Sequence, residues 1–360
     1  MNKPKLFIPG PVDVSPATYE AMCGPIIGHR GKDFEELYAS IQPGLRQIAH
    51  TGRPVFLSTS SAWGVMEGTI RNLVPTKVLN LCCGAFSDKW FGVSQSCDKV
   101  ADRIQVEWGQ PIDPEAVREK LEEGGFDAVT LVHNETSTGV LNPLREIAEV
   151  VKSFDDVLLI VDTVSSFSAV PIPTEELGID VLLAGVQKAL ALPPGLSIFT
   201  CSEAALERAK KVHDRGYYFD FAEFAKNDAK NNTPSTPAIP LLYALRQKVE
   251  EILAEGLENR YARHEATNKL VHAWADKHGI SHLPPEGFRS KSLSCLVTPE
   301  NLDLPGFIKA VREKHNLLIN GGYGKIKGTT FRISNMGNET EETVSEMLAA
   351  LDDVLPGFLD

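Results

Sequence analysis

The run Val157-Leu-Leu-Ile-Val161 is apolar at every position, and it limits the possible folds more than any other feature of the chain. A strand with one wet face alternates apolar and polar residues. A strand that is apolar throughout has both faces covered, as in a parallel sheet packed between two layers of helices. Between about residues 55 and 202 such runs alternate with helical patterns, which is the signature of βαβ units. Strands are predicted over 55–59, 78–83, 128–133, 157–162, 181–184 and 197–201, with helices over 64–74, 88–100, 114–123 and 144–154. Asp113-Pro114 and Asn142-Pro143 read as helix starts, each a capping side chain followed by proline in the first turn.

Past residue 202 the pattern changes. The aromatic stretch Tyr217-Tyr-Phe-Asp-Phe-Ala-Glu-Phe224 precedes a polar segment, 226–237, whose Asn-Asn-Thr-Pro-Ser-Thr-Pro composition excludes regular structure. A long helical pattern covers 241–278 and puts Arg260, Arg263 and His264 on a solvated face, the default for charges on a helix. Weaker strands at 292–297 and 329–333 and helices at 304–314 and 341–354 form a separate α+β unit. Asn338, followed three residues later by Glu341, is a capping-box candidate.

A chain of 360 residues with 42% hydrophobic content can bury a large core, divided between one large and one smaller domain. The formal net charge of −12 and the absence of a long basic run argue against nucleic acid or anionic membrane surfaces as partners. Pro9 interrupts the N-terminal apolar stretch, so a signal peptide is not expected, and no apolar run reaches bilayer-spanning length. The six cysteines have neither metal-ligand spacing nor a CxxC pair, and no metal is expected; adjacent Cys82 and Cys83 read as small buried hydrophobes of a reducing, cytoplasmic compartment.

The chemistry gathers where predicted strands end, which is where open α/β sheets bind ligands. Lys188 follows the apolar run Val181-Leu-Leu-Ala and precedes Pro193-Pro-Gly195. A lysine carried to the end of a buried strand is costly unless its charge is paired or removed, and imine formation with a cofactor aldehyde removes it. The alternative is a lysine that points to water. Asp162, at the end of the 157–162 strand, is the candidate acidic partner. Ser58-Thr-Ser-Ser-Ala-Trp-Gly64 joins a strand to a helix and could offer backbone amides to a phosphate, or could be an ordinary serine-rich cap. Gly84-Ala-Phe86 could lay Phe86 against a planar ring, although a core aromatic is commoner. His133-Asn-Glu-Thr-Ser-Thr-Gly139 ends a further strand with several donors and acceptors.

Together with Pro9-Gly-Pro11, His29-Arg30, Asp162-Thr-Val-Ser165, Gln187-Lys188, Thr233-Pro-Ser-Thr236 and Phe331-Arg-Ile333, this series resembles the class V aminotransferases that use pyridoxal 5'-phosphate. It is most similar to the branch containing alanine–glyoxylate, serine–glyoxylate and serine–pyruvate enzymes. The resemblance implies transferase fold type I, with a mostly parallel seven-stranded sheet in a large domain (16–250). A small α+β domain (251–360) would follow, and an N-terminal segment (1–15) would pack on it. It also implies a role for each residue. Lys188 would bond the cofactor aldehyde, and Asp162 would keep the pyridine nitrogen protonated. Phe86 would stack on the ring, and Thr136 would hydrogen-bond near its phenolic oxygen. Ser61, Ala62, Trp63 (through its amide) and Gln187 would hold the phosphate, joined by Thr236 of a neighbouring subunit in a homodimer. Arg332 would grip the carboxylate of small amino acids and 2-oxo acids.

His29-Arg30 is similar to a pair that binds the substrate phosphate in phosphoserine aminotransferases, and it also occurs in relatives whose substrates carry no phosphate. Trp63 stands where relatives often have a smaller residue or histidine. A phosphoserine aminotransferase remains an alternative. So do a cysteine desulfurase, against which Gln187 stands where histidine is usual, and a non-catalytic relative of the fold. Tyr323, in Asn320-Gly-Gly-Tyr-Gly324, is either close to the substrate or a surface turn residue.

Overall fold

A computed structural model describes residues 3–359. Seven strands form one sheet in the order Phe56–Ser58, Ser197–Cys201, Val181–Gly185, Leu158–Asp162, Ala128–Val132, Lys77–Cys82 and Val100–Gln105. Every pairing is parallel except the two made by Ser197–Cys201. That strand is reached through Pro193-Pro194-Gly195, where Gly195 takes φ +128° and turns the chain back beside Val181–Gly185.

The all-apolar runs are buried on both faces. Leu159, Val161, Leu182 and Ala184 enter one core with helices Lys32–Ile48, Pro114–Glu122, Leu144–Lys152 and Ile239–Glu255. Their neighbours Leu158, Ile160, Val181 and Leu183 enter another with Ala62–Leu73, Ala85–Ser96, Glu203–Lys211 and Phe221–Asp228. Successive residues of a strand point to opposite faces, so one unbroken run serves both cores.

The edge strand Val100–Gln105 escapes the sequence reading, which ends a helix at 100. Its residues Val-Ala-Asp-Arg-Ile-Gln are mostly exposed or half-buried and pair on one side only. The long pattern over 241–278 is two helices, Ile239–Glu255 and Leu257–Lys277, broken at Gly256 with φ +83°. The solvated face assigned there is overturned. Arg260 and His264 are fully buried, because this helix lies between the large sheet's lysine loop and the smaller sheet. The cap of the last helix, Glu341–Val354, also differs: Thr340 and Thr343 form the reciprocal pair, while Asn338 donates to Glu251. Asn142 does not cap its helix either. Its amide joins Ile112 N and Val132 O across the core.

A third apolar cluster gathers Val271, Trp274, Leu296, Phe307, Phe331, Ile333 and Val344 around the antiparallel strands Leu293–Val297, Thr330–Ser334 and Asn320–Gly321. Phe7 belongs to the same cluster, and Lys5–Leu6 pairs in parallel with Leu317–Leu318. No described helix is long and apolar enough to cross a membrane.

Helices Lys32–Ile48 and Ile239–Glu255 approach closely at Gly44, where a Cβ would stand 2.1 Å from Val249 Cγ1. Gly44→Ala is therefore expected to cost about 1–3 kcal/mol through overpacking, read as a lower urea midpoint with an unchanged slope.

Candidate active site

Strand order reverses between Lys77–Cys82 and Ala128–Val132, because the chain runs out to the edge strand and then steps back across the sheet. Crevices at such reversals, outside the carboxyl ends of the strands, are where α/β sheets bind ligands. A cleft lies there, lined by Ser61, Ala62, Trp63, Phe86, Thr136, Asp162, Gln187 and Lys188, with Ser165 beside them. Eight residues singled out from the sequence thus meet in one place.

Lys188 is buried at the end of a short connection from Val181–Gly185. Its Nζ donates to Thr136 Oγ1 at 2.7 Å and lies 4.6 Å from the centre of the Phe86 ring. Thr136 Oγ1 donates onward to Ser165 Oγ at 3.0 Å, and Ser165 Oγ donates to Asn134 O at 2.8 Å. This chain of hydroxyls fixes Thr136 Oγ1 as the acceptor for the amine. Arg332, on the small sheet, donates from Nη1 to Thr136 O at 3.2 Å and from Nε and Nη2 to Gly321 O, each at 3.2 Å. Thr136 therefore receives the lysine on its side chain and the arginine on its backbone.

Burial lowers the Lys188 amine to about 8, opposed by Asp162 and Glu135 and assisted by the charge of Arg332. Burial raises the Asp162 carboxyl to about 6, against the Val164 amide at 2.7 Å and the attraction of Lys188. Burial also lowers the Arg332 guanidinium.

Glu135 carries a role that the sequence reading missed. It is fully buried, and its two oxygens accept from Phe86 N, Ser87 N, Ser87 Oγ, Ser137 N and Ser137 Oγ over 2.6–3.3 Å. It holds the first turn of helix Ala85–Ser96, and so the backbone of Phe86, against the strand end that supplies Thr136. A lone acid in a run of hydroxyl residues just after an apolar strand was the available signal. Ser165, within the Asp162–Ser165 motif, takes the second place in the hydroxyl chain behind Thr136. Tyr323 lies by the site: its ring stacks on Phe86 at 5.6 Å and 15°, and Arg332 Cζ is 5.8 Å from its centre.

The remaining expected residues lie elsewhere within this chain. Thr236 is exposed, and neither it, His29 nor Arg30 lines the cleft. Arg30 donates to Asn232 Oδ1 and Thr233 O at 2.7 Å each and to Pro234 O at 3.0 Å, holding the loop that leads to Thr236.

The sequence profile of the aminotransferase class-V family matches residues 87–287. The chain is a class V aminotransferase. An uncharacterized aminotransferase of Methanocaldococcus jannaschii is 39% identical to it over 97% of this chain and 92% of that one. The serine–glyoxylate aminotransferase of Methylorubrum extorquens is 31% identical over 96% and 90%. Among solved structures, the alanine–glyoxylate aminotransferase of Nostoc sp. superposes with a TM-score of 0.93 at 30% identity, covering 98% of this aminotransferase and 95% of that chain.

Class V aminotransferases use pyridoxal phosphate, and the cleft suits it. Ser61 precedes helix Ala62–Leu73 without a side-chain cap bond, which leaves first-turn amides for a phosphate at the positive end of the helix. Gln187 folds beside Gly185, where any Cβ would stand 2.7 Å from Gln187 Oε1, so glycine keeps that corner open. A carboxyl, an amine and an aromatic ring share the same cleft.

Two outcomes follow. Glu135→Ala leaves buried amides and hydroxyls without an acceptor, each costing about 1–3 kcal/mol, so a large fall in Tm is expected, with Glu135→Gln intermediate. The lowered amine of Lys188 destabilises the fold below its unfolded pKa of about 10.4, and stability returns as pH rises from about 8 towards 10. Cofactor-free Lys188→Met should therefore exceed the wild-type protein in stability at pH 7 by on the order of 1–3 kcal/mol, a gap that urea titrations should show closing towards pH 10.

Proposed function

We propose that this aminotransferase moves the amino group of a small L-amino acid, serine or alanine, to glyoxylate or pyruvate by a ping-pong sequence. The observation that carries this reading is the double use of Thr136 by Lys188 and Arg332. A carboxylate seated on Arg332 brings the neighbouring α-carbon towards the Lys188 amine, so one residue sets the span between grip and base. Arg332 keeps a donor on each terminal nitrogen beyond its bonds to Thr136 and Gly321, which is the fork a carboxylate takes end-on. Tyr323, stacked on Phe86 beside Arg332, narrows the space left for a side chain and favours small donors. The names of the Methylorubrum and Nostoc relatives point to the same substrate class.

Pyridoxal phosphate, when bound, supplies an aldehyde for amines and a ring that accepts electrons from the α-carbon. Ser61, the amides of Ala62 and Trp63, and Gln187 would hold its phosphate. Asp162 would sit by the ring nitrogen, where the cation it protects would in turn keep the carboxylate ionised. Phe86 would lie against the ring face, and Thr136 would hold the oxygen beside it. Lys188, its pKa lowered to about 8 by burial, holds a neutral fraction near neutral pH and can take the α-proton and return it. A second copy of the chain would present Thr236, making the homodimer part of the site, and His29-Arg30 would serve by fixing the Thr233–Thr236 loop. Because Arg30 is already committed to that loop, the non-phosphorylated reading is favoured over phosphoserine.

Addition of L-serine or L-alanine to the purified holoenzyme, with no oxo acid, is expected to move the visible absorbance into the near ultraviolet. Glyoxylate or pyruvate should restore it. A band unmoved by both donors would overturn the substrate assignment. Lys188→Ala should abolish the change, and Arg332→Lys, which keeps the charge and loses the fork, should raise KM for the donor about 10- to 100-fold.

A further inference from the structure

We propose that Arg260 is a positioning residue for Lys188, the centre of a buried ionic clamp that also holds the segment following Arg332. The proposal rests on Lys188 being the lysine that bonds the cofactor and takes the α-proton. Arg260 is fully buried, and its fork points three ways. Nη2 donates to Ala189 O, the carbonyl next to Lys188, at 2.9 Å; Nε reaches Ser168 Oγ at 3.3 Å; Nη1 meets Glu255 Oε2 at 3.1 Å. Glu255 also takes Arg263, from Nε at 2.6 Å and from Nη2 at 3.0 Å. Arg263 then donates to Glu339 O at 2.6 Å and Gly337 O at 3.2 Å, just beyond the Arg332 strand.

The backbone around Lys188 needs such support. Ala191, three residues on, holds the left-handed φ of +53°, a conformation a non-glycine residue keeps only under outside constraint. Gly337 faces it so closely that a Cβ there would stand 2.7 Å from Ala191 Cβ. The lysine loop and the Gly337–Glu339 segment are thus pressed together and joined through one carboxylate. If holding the fold together were the whole task, apolar packing would do it at lower cost than a buried guanidinium with two of its bonds on neutral oxygens. A planar guanidinium whose three nitrogens go to three different partners adds direction, and its Nη2 acts on the carbonyl of the residue after the base.

The test uses Arg260→Gln, Arg260→Lys and Glu255→Gln in the full-length holoenzyme. It adds the pH dependence of Lys188 acylation in the cofactor-free chain, read by peptide mass spectrometry. Arg260→Gln is expected to lower kcat about 10- to 100-fold, as a displaced base would, while KM for the donor changes by less than about threefold. Its Lys188 acylation profile should shift along the pH axis, although Asp162, Glu135 and Arg332, the charged groups around the amine, are untouched. Arg260→Lys should recover part of both properties, and Glu255→Gln should show the same kind of change in smaller degree. A folded Arg260→Gln protein with the wild-type acylation profile and kcat would overturn the proposal. If Arg260→Gln fails to fold, the other two variants decide in the same way. A wild-type enzyme that turns over no small amino acid would instead sink the proposed reaction, and the acylation profiles would still decide the clamp.

Discussion

Keeping one amine dry is the constraint on which this structure turns. A buried ammonium is unfavourable by several kcal/mol unless partners or deprotonation relieve it. Here relief is partial: Thr136 accepts from the amine, two acids lie within electrostatic range, and Arg332 opposes them. The amine is left reactive rather than comfortable. The sheet's strand order, the strained Ala191 and the placement of Thr136 surround it beside a cleft that suits a cofactor.

Much of the fold was legible because its signal is local. Runs such as Val157–Val161 can only be strands covered on both faces, and the two cores divide their residues by simple alternation. Lys188, Asp162, Ser61 and Phe86 were visible for a related reason: each is a polar or aromatic interruption at the end of such a run. What the sequence hid depends on distant partners. Val100–Gln105 looks polar because its edge is wet. Arg260 and His264 look like surface residues because their helix carries charge around much of its circumference. Only the contact with Ala189 and Asn335 shows them to be interior. Glu135 bears only a weak local mark, an acid among hydroxyl residues, because three of its five donors belong to Phe86 and Ser87, far away in sequence.

Function enters by the same division. The family relationship and the conjunction in the cleft fix the reaction class. Tyr323, stacked on Phe86 beside Arg332, sits on a glycine-rich turn of the small sheet. Both belong to its periphery, where no periodicity marks a residue as important.

The reversed strand Ser197–Cys201 has a consequence for how the molecule comes into being. It lies between Phe56–Ser58 and Val181–Gly185, so the first strand and its serine-rich turn join the sheet only through this reversed segment. Ser60 and Ser197, whose hydroxyls meet at 2.9 Å, are 137 residues apart in sequence. Contacts of such long range form slowly, after much loop-closure entropy has been lost. During synthesis, Phe56–Ser58 therefore has no partner in the sheet until residues 197–201 have been made.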